Sequence, residues 1–235
     1  MRARLRWLEL MMLSLLGMAG CALPIPALHG TPGTLSYLAL GDSYTIGESV
    51  AADARWPMQL ASALRGSHVP LADPRIIATT GWTTVELNDA ITAAQPLGHY
   101  DFVSVLIGVN DQYRGHALAD YQRRFPPLLE RAIGFAGGRA DRVLVLSIPD
   151  WGVTRFGRES GRDTAQIAQE LDAYNAAART ICIAHGVAFV DITGISRQHG
   201  AEPAMLAGDG LHPSAAMYAL WTQAALPAAK RLLAK

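Results

Sequence analysis

The chain has 235 residues, of which 50% are hydrophobic and 17% are charged. This composition supports one folded domain with a sizeable apolar core and argues against disorder. Twenty basic residues balance twenty acidic ones, so the formal net charge is zero. Because proteins that bind nucleic acid usually carry a basic excess to neutralise phosphates, we set that class of partner aside.

The first 21 residues have the pattern of an export signal. Three arginines among the first six residues precede an apolar stretch at residues 10–18, and small residues then lead to Cys21. The stretch is too short to span a bilayer comfortably, so residues 1–20 are predicted to be a signal removed before folding. The run Leu16–Cys21 resembles a bacterial lipoprotein processing site, at which Cys21 is lipidated. We expect an exported protein that is periplasmic or anchored in the membrane only through this lipid, or else secreted.

A regular alternation of strand and helix patterns follows a linker that is rich in Pro and Gly, residues 21–34, and defines one domain over residues 35–235. Five short runs are almost continuously apolar, as expected of parallel strands that are covered on both faces. These predicted strands are Leu35–Leu40, Arg75–Thr80, Asp101–Gly108, Arg142–Ile148 and Val187–Thr193.

Five segments between and after these strands carry apolar residues at helical spacing. These predicted helices are Trp56–Leu64, Thr84–Ala94, Leu118–Ala136, Thr164–His185 and Ala215–Leu233. Thr83 and Glu86 have the spacing of a capping box for the second of them. The alternating order predicts an α/β fold, a three-layer α/β/α sandwich around a five-stranded parallel sheet.

Polar residues and glycines follow the predicted strands at the edge where open α/β sheets bind ligands. Ser43 comes after the first strand, Gly81 after the second and Asn110 after the third, while Asp209 and His212 precede the last helix. These positions predict a site at the carboxyl edge of the sheet.

Ser43, Asp209 and His212 carry the chemistry of a nucleophile and its base. Backbone N–H groups at a helix start favour negative charge near Ser43, although a serine there is also an ordinary helix cap. In a tight turn, a spacing of three can bring Asp209 to one nitrogen of His212 and leave the other nitrogen free. The alternative for Asp209 is a simple Asp-Gly turn.

A tetrahedral intermediate also needs hydrogen-bond donors for its oxyanion, each worth about 2.7–4 kcal/mol. The candidates are the side-chain NH₂ of Asn110 and the backbone N–H groups of Gly81 and Ser43. Taken alone, Gly81 is equally a strand-end glycine and Asn110 equally a turn residue.

Four segments carry a family resemblance. Ala39–Tyr44, Gly81, Gly108–Asp111 and Asp209–Pro213 are similar to the four sequence blocks of SGNH (GDSL-like) hydrolases, in the same order and at matching distances. The resemblance extends from about residue 35 to the C-terminus. Tyr44 replaces the leucine of the Gly-Asp-Ser-Leu pattern. No Gly-x-Ser-x-Gly motif surrounds the serine, which argues against the α/β-hydrolase family.

The resemblance implies a flavodoxin-like fold and a serine hydrolase that cleaves carboxylic esters or thioesters through an acyl-enzyme. It assigns Ser43 as nucleophile, His212 as base and Asp209 as the partner of His212. It also assigns Ser43, Gly81 and Asn110 to the oxyanion hole.

Other positions are less defined. Trp82, Tyr113 and Arg114 follow the predicted catalytic loops and are candidates for substrate contact. For Asp111, beside Asn110, the default expectation is a solvated carboxylate, and the alternative is that it helps to orient the loop. Residues 151–163 are either a specificity loop or an exposed connection. The remaining histidines lack the spacing of metal ligands, so we expect neither a metal nor another cofactor.

Three functions are compatible with this reading. The first is an esterase for small-molecule substrates with small to medium acyl groups. The second is an O-deacetylase for carbohydrates or cell-envelope glycans, or an acyltransferase, because an acyl-enzyme can be resolved by different nucleophiles. The third is a non-catalytic envelope lipoprotein that keeps only the fold. Loss of a catalytic block would indicate the third, and no block is missing.

Overall fold

A five-stranded parallel sheet forms the centre of the chain, whose structure is a computed structural model that describes residues 33–234. The strand order is β2-β1-β3-β4-β5, and every pairing is parallel. The strands are β1 Tyr37–Gly41, β2 Arg75–Ala78, β3 Phe102–Leu106, β4 Val143–Leu146 and β5 Ala188–Val190. All five coincide with predicted strands, so the sequence-based prediction of the sheet is confirmed.

Helices cover both faces of this sheet. In chain order they are α1 Ser43–Ile46, α2 Trp56–Gly66, α3 Thr84–Ala93, α4 Val109–Tyr113, α5 Leu118–Phe135, α6 Arg155–Glu159, α7 Thr164–Ala184, α8 Thr193–His199 and α9 Ala215–Leu233. The five long helices match the predicted ones within two residues at each end. Helices α4, α6 and α8 were not predicted, and α1 was expected only as a helix start near Ser43, because four to seven residues are too few to display a helical period.

The two helical layers follow from the handedness of the crossovers. Helix α2 packs against α9, whereas α5 contacts α3 and α7. Because parallel crossovers are right-handed, the step from β1 outward to β2 and the later steps toward β5 bring helices to opposite faces. The α/β/α sandwich is therefore confirmed, with the order 2-1-3-4-5 of flavodoxin-like folds.

Local signals in the sequence set the start of α3. The Thr83 side chain accepts the backbone N–H of Glu86, and the Glu86 carboxylate accepts the Thr83 N–H. This reciprocal pair satisfies two donors that a helix start otherwise leaves unpaired. The predicted capping box is confirmed, and it defines the position of the loop that carries Gly81.

The direction in which successive strands are added to the sheet reverses between β1 and β3, which are neighbours. In an open parallel sheet, such a switch point leaves a crevice beyond the carboxyl ends of the two strands. Ser43 follows β1 directly and Asn110 lies just after β3, so both residues are at this crevice.

No helix within residues 33–234 combines the length and apolarity that crossing a bilayer requires. The predicted signal at residues 1–20, Cys21 and residues 21–32 of the linker lie outside the described part of the chain. Their assignment therefore stays a prediction.

Candidate active site

Ser43 is held at the tight junction between β1 and α1. Asp42 caps the helix by accepting the N–H of Tyr44 at 3.0 Å. A side chain at Gly41 would collide with Thr45 and place its Cβ 2.5 Å from the carbonyl oxygen of Leu106. Glycine therefore allows α1 to begin directly against the neighbouring strand β3. The result is a serine that is 5% exposed and lines a cavity at the end of the sheet.

Asp209 and His212 form a hydrogen-bonded pair in the turn before α9. Nδ1 of His212 lies 2.8 Å from Oδ2 of Asp209. The other carboxylate oxygen, Oδ1, accepts the backbone N–H groups of Leu211 and His212 at 2.9 Å each. Because a carboxylate only accepts hydrogen bonds, Nδ1 carries the proton and the free nitrogen of a neutral ring, Nε2, is an acceptor.

The same contacts keep Asp209 ionised. Partial burial raises its pKa, but hydrogen bonds from the Leu211 N–H, the His212 ring, the His212 N–H and the Ser49 hydroxyl outweigh burial. Together they lower the pKa of Asp209 to about 2. A full negative charge therefore lies beside the His212 ring at neutral pH, where it stabilises an imidazolium.

The Ser43 hydroxyl and the His212 ring line the same cavity. Within residues 33–234, neither Oγ of Ser43 nor Nε2 of His212 makes a hydrogen bond, so none joins the two groups. Catalytic hydrogen bonds are often long without substrate and shorten when it binds. Both atoms are thus unpaired and open to a ligand in one cleft.

Gly81 and Asn110 line the same cavity as Ser43. Gly81 has φ +88°, a conformation that L side chains rarely adopt, and its carbonyl accepts a hydrogen bond from Arg114 at 2.5 Å. One N–H of the Asn110 side chain donates to the carbonyl of Trp82 at 2.9 Å, which leaves the second N–H free. The peptide at residues 81–82 is therefore fixed by two side chains.

Asp111 anchors the same loop from within the core, and the expectation of a solvated carboxylate is wrong. Its side chain is fully buried and accepts the backbone N–H and the hydroxyl of Thr84, each at 2.8 Å. Burial is tolerated because both carboxylate oxygens are paired. Asp111 therefore connects α4, which carries Asn110, to the start of α3.

The cavity beside Ser43 has a volume of about 170 Å³ and a mainly apolar wall. Six side chains form this wall: Tyr44, Val109, Tyr113, Trp151, Phe156 and Leu211. Three of the rings contact one another, with Tyr113 and Trp151 centroids 5.3 Å apart and Trp151 and Phe156 centroids 6.1 Å apart. A small apolar group of a ligand can pack against this wall.

Trp151 is the fixed member of this wall. Its indole N–H donates to Gln112 Oε1 at 2.9 Å, and the guanidinium of Arg162 lies 5.2 Å from its ring centre. Gln112 and Arg162 both donate to the carboxylate of Glu170. This chain of contacts holds the aromatic wall in place from behind.

The structure separates the three predicted substrate-contact residues. Tyr113 lines the cavity and is 47% exposed, whereas Trp82 and Arg114 are not among its lining residues. The segment 151–163 contributes Trp151 and Phe156, so its start is part of the cavity rather than an exposed connection. Neither the place of Tyr44 in the cavity wall nor the contact of Ser49 with Asp209 was predicted from the sequence.

Among residues 33–234, no three His, Cys, Asp or Glu side chains are grouped so that they could hold a metal ion.

Solved structures of known proteins share this fold. The lipase/acylhydrolase from Enterococcus faecalis is 18% identical with a TM-score of 0.65, covering 83% of this chain and 94% of that one. TesA is also 18% identical, with a TM-score of 0.66 and coverage of 84% and 99%. Axe2, an acetylxylan esterase from Geobacillus stearothermophilus, is 19% identical with a TM-score of 0.62 and coverage of 86% and 96%. At these identities the likeness shows the fold alone.

The sequence itself identifies the family. The profile of the GDSL-like Lipase/Acylhydrolase family matches residues 39–220, which include all four predicted blocks. Comparison with curated protein sequences gave no match. The family match confirms the resemblance and supports an enzyme rather than a binding module. The chain belongs to the GDSL-like lipase/acylhydrolase family and is a carboxylic ester hydrolase.

Proposed function

We propose that Ser43, His212 and Asp209 are the catalytic triad of this hydrolase. Oγ of Ser43 attacks the ester carbonyl carbon while Nε2 of His212 takes the hydroxyl proton. The carboxylate of Asp209 stabilises the imidazolium that forms. The observation that supports this assignment is the 2.8 Å hydrogen bond between Asp209 and Nδ1 of His212, with Nε2 left free in the cavity of Ser43.

The reaction then runs in two halves. Collapse of the first tetrahedral intermediate breaks the bond to the alcohol oxygen, which takes the proton from His212 and leaves the acyl group on Ser43. Water attacks this acyl-enzyme with His212 again as base, and the carboxylic acid departs.

The oxyanion hole in this proposal consists of the Ser43 N–H, the Gly81 N–H and the side chain of Asn110. Within the described residues, neither backbone N–H donates a hydrogen bond, and Asn110 keeps one N–H free. Three unpaired donors around one nucleophile suit the negative oxygen of a tetrahedral intermediate. Hydrogen bonds with Arg114, Asn110 and Asp111 hold the loop at residues 81–84, so the Gly81 and Asn110 donors are in place before substrate arrives.

The shape of the cavity supports esters of small to medium acyl groups. A volume of about 170 Å³ with six apolar side chains favours burial of a short hydrocarbon chain beside Ser43. The direct test is hydrolysis of p-nitrophenyl esters from acetate to decanoate. Ser43→Ala should reduce kcat by a factor on the order of 10⁶. Substantial turnover by the purified, folded variant would overturn the assignment.

A second candidate is deacetylation of a glycan, and the exposed ring of Tyr113 is the observation that favours it. An aromatic side chain that is 47% exposed at a cavity can pack against the apolar face of a sugar. Axe2, which shares this fold, is an acetylxylan esterase, and this likeness supports the second candidate. Acetate release from acetylated xylan, compared with short-chain aryl esters and with lysophospholipid, decides between the candidates. Loss of xylan activity alone in Tyr113→Ala would favour the glycan.

The acyl-enzyme also permits transfer to an acceptor alcohol in place of water. Product analysis with a p-nitrophenyl ester and added short alcohol measures the partition. Ester formation that exceeds the uncatalysed reaction and disappears in Ser43→Ala would assign a transferase activity to the same site.

We also propose that the protein is exported and that Cys21 is lipidated. The basic start, the apolar stretch and the run Leu16–Cys21 support this proposal. Mass spectrometry of the mature N-terminus from membrane and soluble fractions tests it. A mature chain that begins at lipid-modified Cys21 is expected, and a chain that retains residues 1–20 would contradict it.

A further inference from the structure

Ser49 contacts the carboxylate of Asp209 across 160 residues of sequence. Its hydroxyl donates to Oδ2 of Asp209 at 2.8 Å. Oδ2 is the same oxygen that accepts Nδ1–H of His212. Ser49 therefore contacts the atom through which the carboxylate acts on the ring.

The donor of this hydrogen bond lies in a different segment of the chain from the other donors to Asp209. The Leu211 N–H, the His212 N–H and the His212 ring all belong to the same turn as Asp209. Ser49 lies three residues after the end of α1, the helix that begins with Ser43. Within residues 33–234, it is the one donor to Asp209 from outside that turn.

The backbone of Ser49 is strained. Its φ is +64°, and only one other residue among the described ones that is not glycine, His68 at +62°, has a positive φ. L-residues adopt this region at an energetic cost, which persists where surrounding contacts enforce it and which concentrates at functional sites. Ser49 is exposed, so burial of its hydroxyl does not explain the contact.

We propose that Ser49 is a positioning residue that fixes the Asp209 carboxylate relative to Ser43 and so orients His212. The proposal rests on the catalytic triad proposed above. Without the Ser49 hydroxyl, the turn keeps its own hydrogen bonds but loses its tie to the segment that follows the nucleophile. The imidazole then spends less time aligned with the Ser43 hydroxyl, which lowers kcat and leaves substrate binding unchanged.

Three substitutions separate positioning from a purely structural role. Ser49→Gly removes the hydroxyl and relieves the strained φ, so Tm should stay equal or rise while kcat falls about 10-fold. Ser49→Ala removes the hydroxyl and keeps the strain, so kcat should fall as far with a lower Tm. Ser49→Thr keeps the hydroxyl and increases the strain, so Tm should fall while kcat stays within about 3-fold of the parent. KM should change less than about 2-fold in all three.

His68→Gly is the matched control. His68 has the same strained backbone but lies in the turn between α2 and the start of β2, at the opposite edge of the sheet from the site. Its substitution should leave Tm equal or higher, as expected of Ser49→Gly, without changing kcat. This control shows what relief of strain does by itself.

The deciding measurement is kcat together with the rate at which a fluorophosphonate labels the serine. Both should fall in parallel in Ser49→Gly and Ser49→Ala, because both need a deprotonated Ser43. Parent values of kcat and labelling rate in Ser49→Gly would overturn the role of Ser49, as would a kcat that follows Tm across the three variants. Turnover retained by Ser43→Ala would contradict the triad itself. An inactive Ser43→Ala together with a fully active Ser49→Gly would contradict only the positioning role of Ser49.

Discussion

Oδ2 of Asp111 accepts the backbone N–H of Thr84 at 2.8 Å, which joins the helix that carries Asn110 to the helix that follows Gly81. The Asn110 side chain and the Gly81 backbone N–H, both proposed as oxyanion donors, are thus held by one buried residue. β1 lies between β2 and β3 in the sheet, so this contact bridges the segments that follow β2 and β3 across the end of β1. Asp111 connects the two sides of the cleft without lining the cavity itself.

Asp111→Ala should therefore weaken both the fold and the oxyanion hole. A methyl group in place of the carboxylate leaves the backbone N–H and the hydroxyl of Thr84 without their acceptors. A buried donor left without an acceptor costs about 1–3 kcal/mol in the free energy of unfolding. We expect a loss of that size in urea denaturation, with lower kcat at temperatures where the variant is folded. Thr84→Ser, which preserves both donors, is the control, and unchanged stability in Asp111→Ala would contradict the anchor.

Asn110→Ala should reduce kcat by about 10²–10³ with little change in KM. The reason is that an oxyanion donor acts on the charge that develops in the transition state rather than on the ground-state ester. Steady-state kinetics with a p-nitrophenyl ester measure the changes in kcat and KM separately. A rise in KM at constant kcat would instead assign Asn110 to substrate binding.

Gly81→Ala tests the conformation of the loop. The added Cβ would have room, because its nearest neighbour is the guanidinium of Arg114 at 3.6 Å. A non-glycine residue at φ +88° nevertheless costs about 1–2 kcal/mol, so the loop should shift and move its N–H. We expect a lower Tm together with a fall in kcat that exceeds the fraction unfolded. Parent kcat at a lower Tm would show that the Gly81 N–H takes no part.

Asp42 should make the protein less stable as the pH rises. Burial raises the pKa of its carboxyl to about 8, against the hydrogen bond from Tyr44, with the charge of Asp111 adding to the increase. The folded state therefore holds a proton that the unfolded chain loses near pH 4. Its contribution is greatest below the unfolded pKa and declines as the pH rises from about 4 toward 8.

Asp42→Asn removes this dependence and still caps α1, because an amide oxygen can accept the Tyr44 N–H. Between about pH 5 and about pH 9, the drop in the free energy of unfolding should shrink by roughly 2–4 kcal/mol relative to the parent. Asp209 adds no pH dependence in this range. Its pKa is lowered to about 2, so its contribution to stability is lost only as the pH falls from about 4 toward 2. Parallel pH curves for parent and variant would contradict a protonated Asp42.

Phe156→Ala should shift the chain-length preference toward longer esters. Its half-buried ring closes the apolar wall beside Trp151, and truncation makes room for two or three methylene groups. Each buried methylene is worth about 0.8 kcal/mol, so the ratio of kcat/KM for decanoate over acetate should rise roughly 10-fold or more. An unchanged or lower ratio would mean that the acyl chain lies elsewhere.

The sequence predicts the sheet, the long helices and the positions of Ser43, Gly81 and Asn110, because each follows from a periodic pattern or from the end of a strand. Asp209 and His212 are three residues apart, so their contact is local and was predictable. Helices as short as α1 and α4 are set by tertiary contacts and carry no period of their own.

Contacts between distant segments account for what the sequence did not predict. Asp111 is paired with Thr84 from another helix, and a carboxylate without a visible partner is expected in solvent. The Ser49 hydroxyl meets Asp209 only because the end of α1 and the turn before α9 converge above the sheet. No local motif encodes that proximity.

Mapping the covalent adduct of a fluorophosphonate by peptide mass spectrometry tests the proposed triad most directly. We expect a single modified residue, Ser43, and a labelling rate that collapses in His212→Ala, because the hydroxyl then has no base. A label on another residue, or full esterase turnover by a protein whose Ser43 stays unmodified and unreactive, would contradict it.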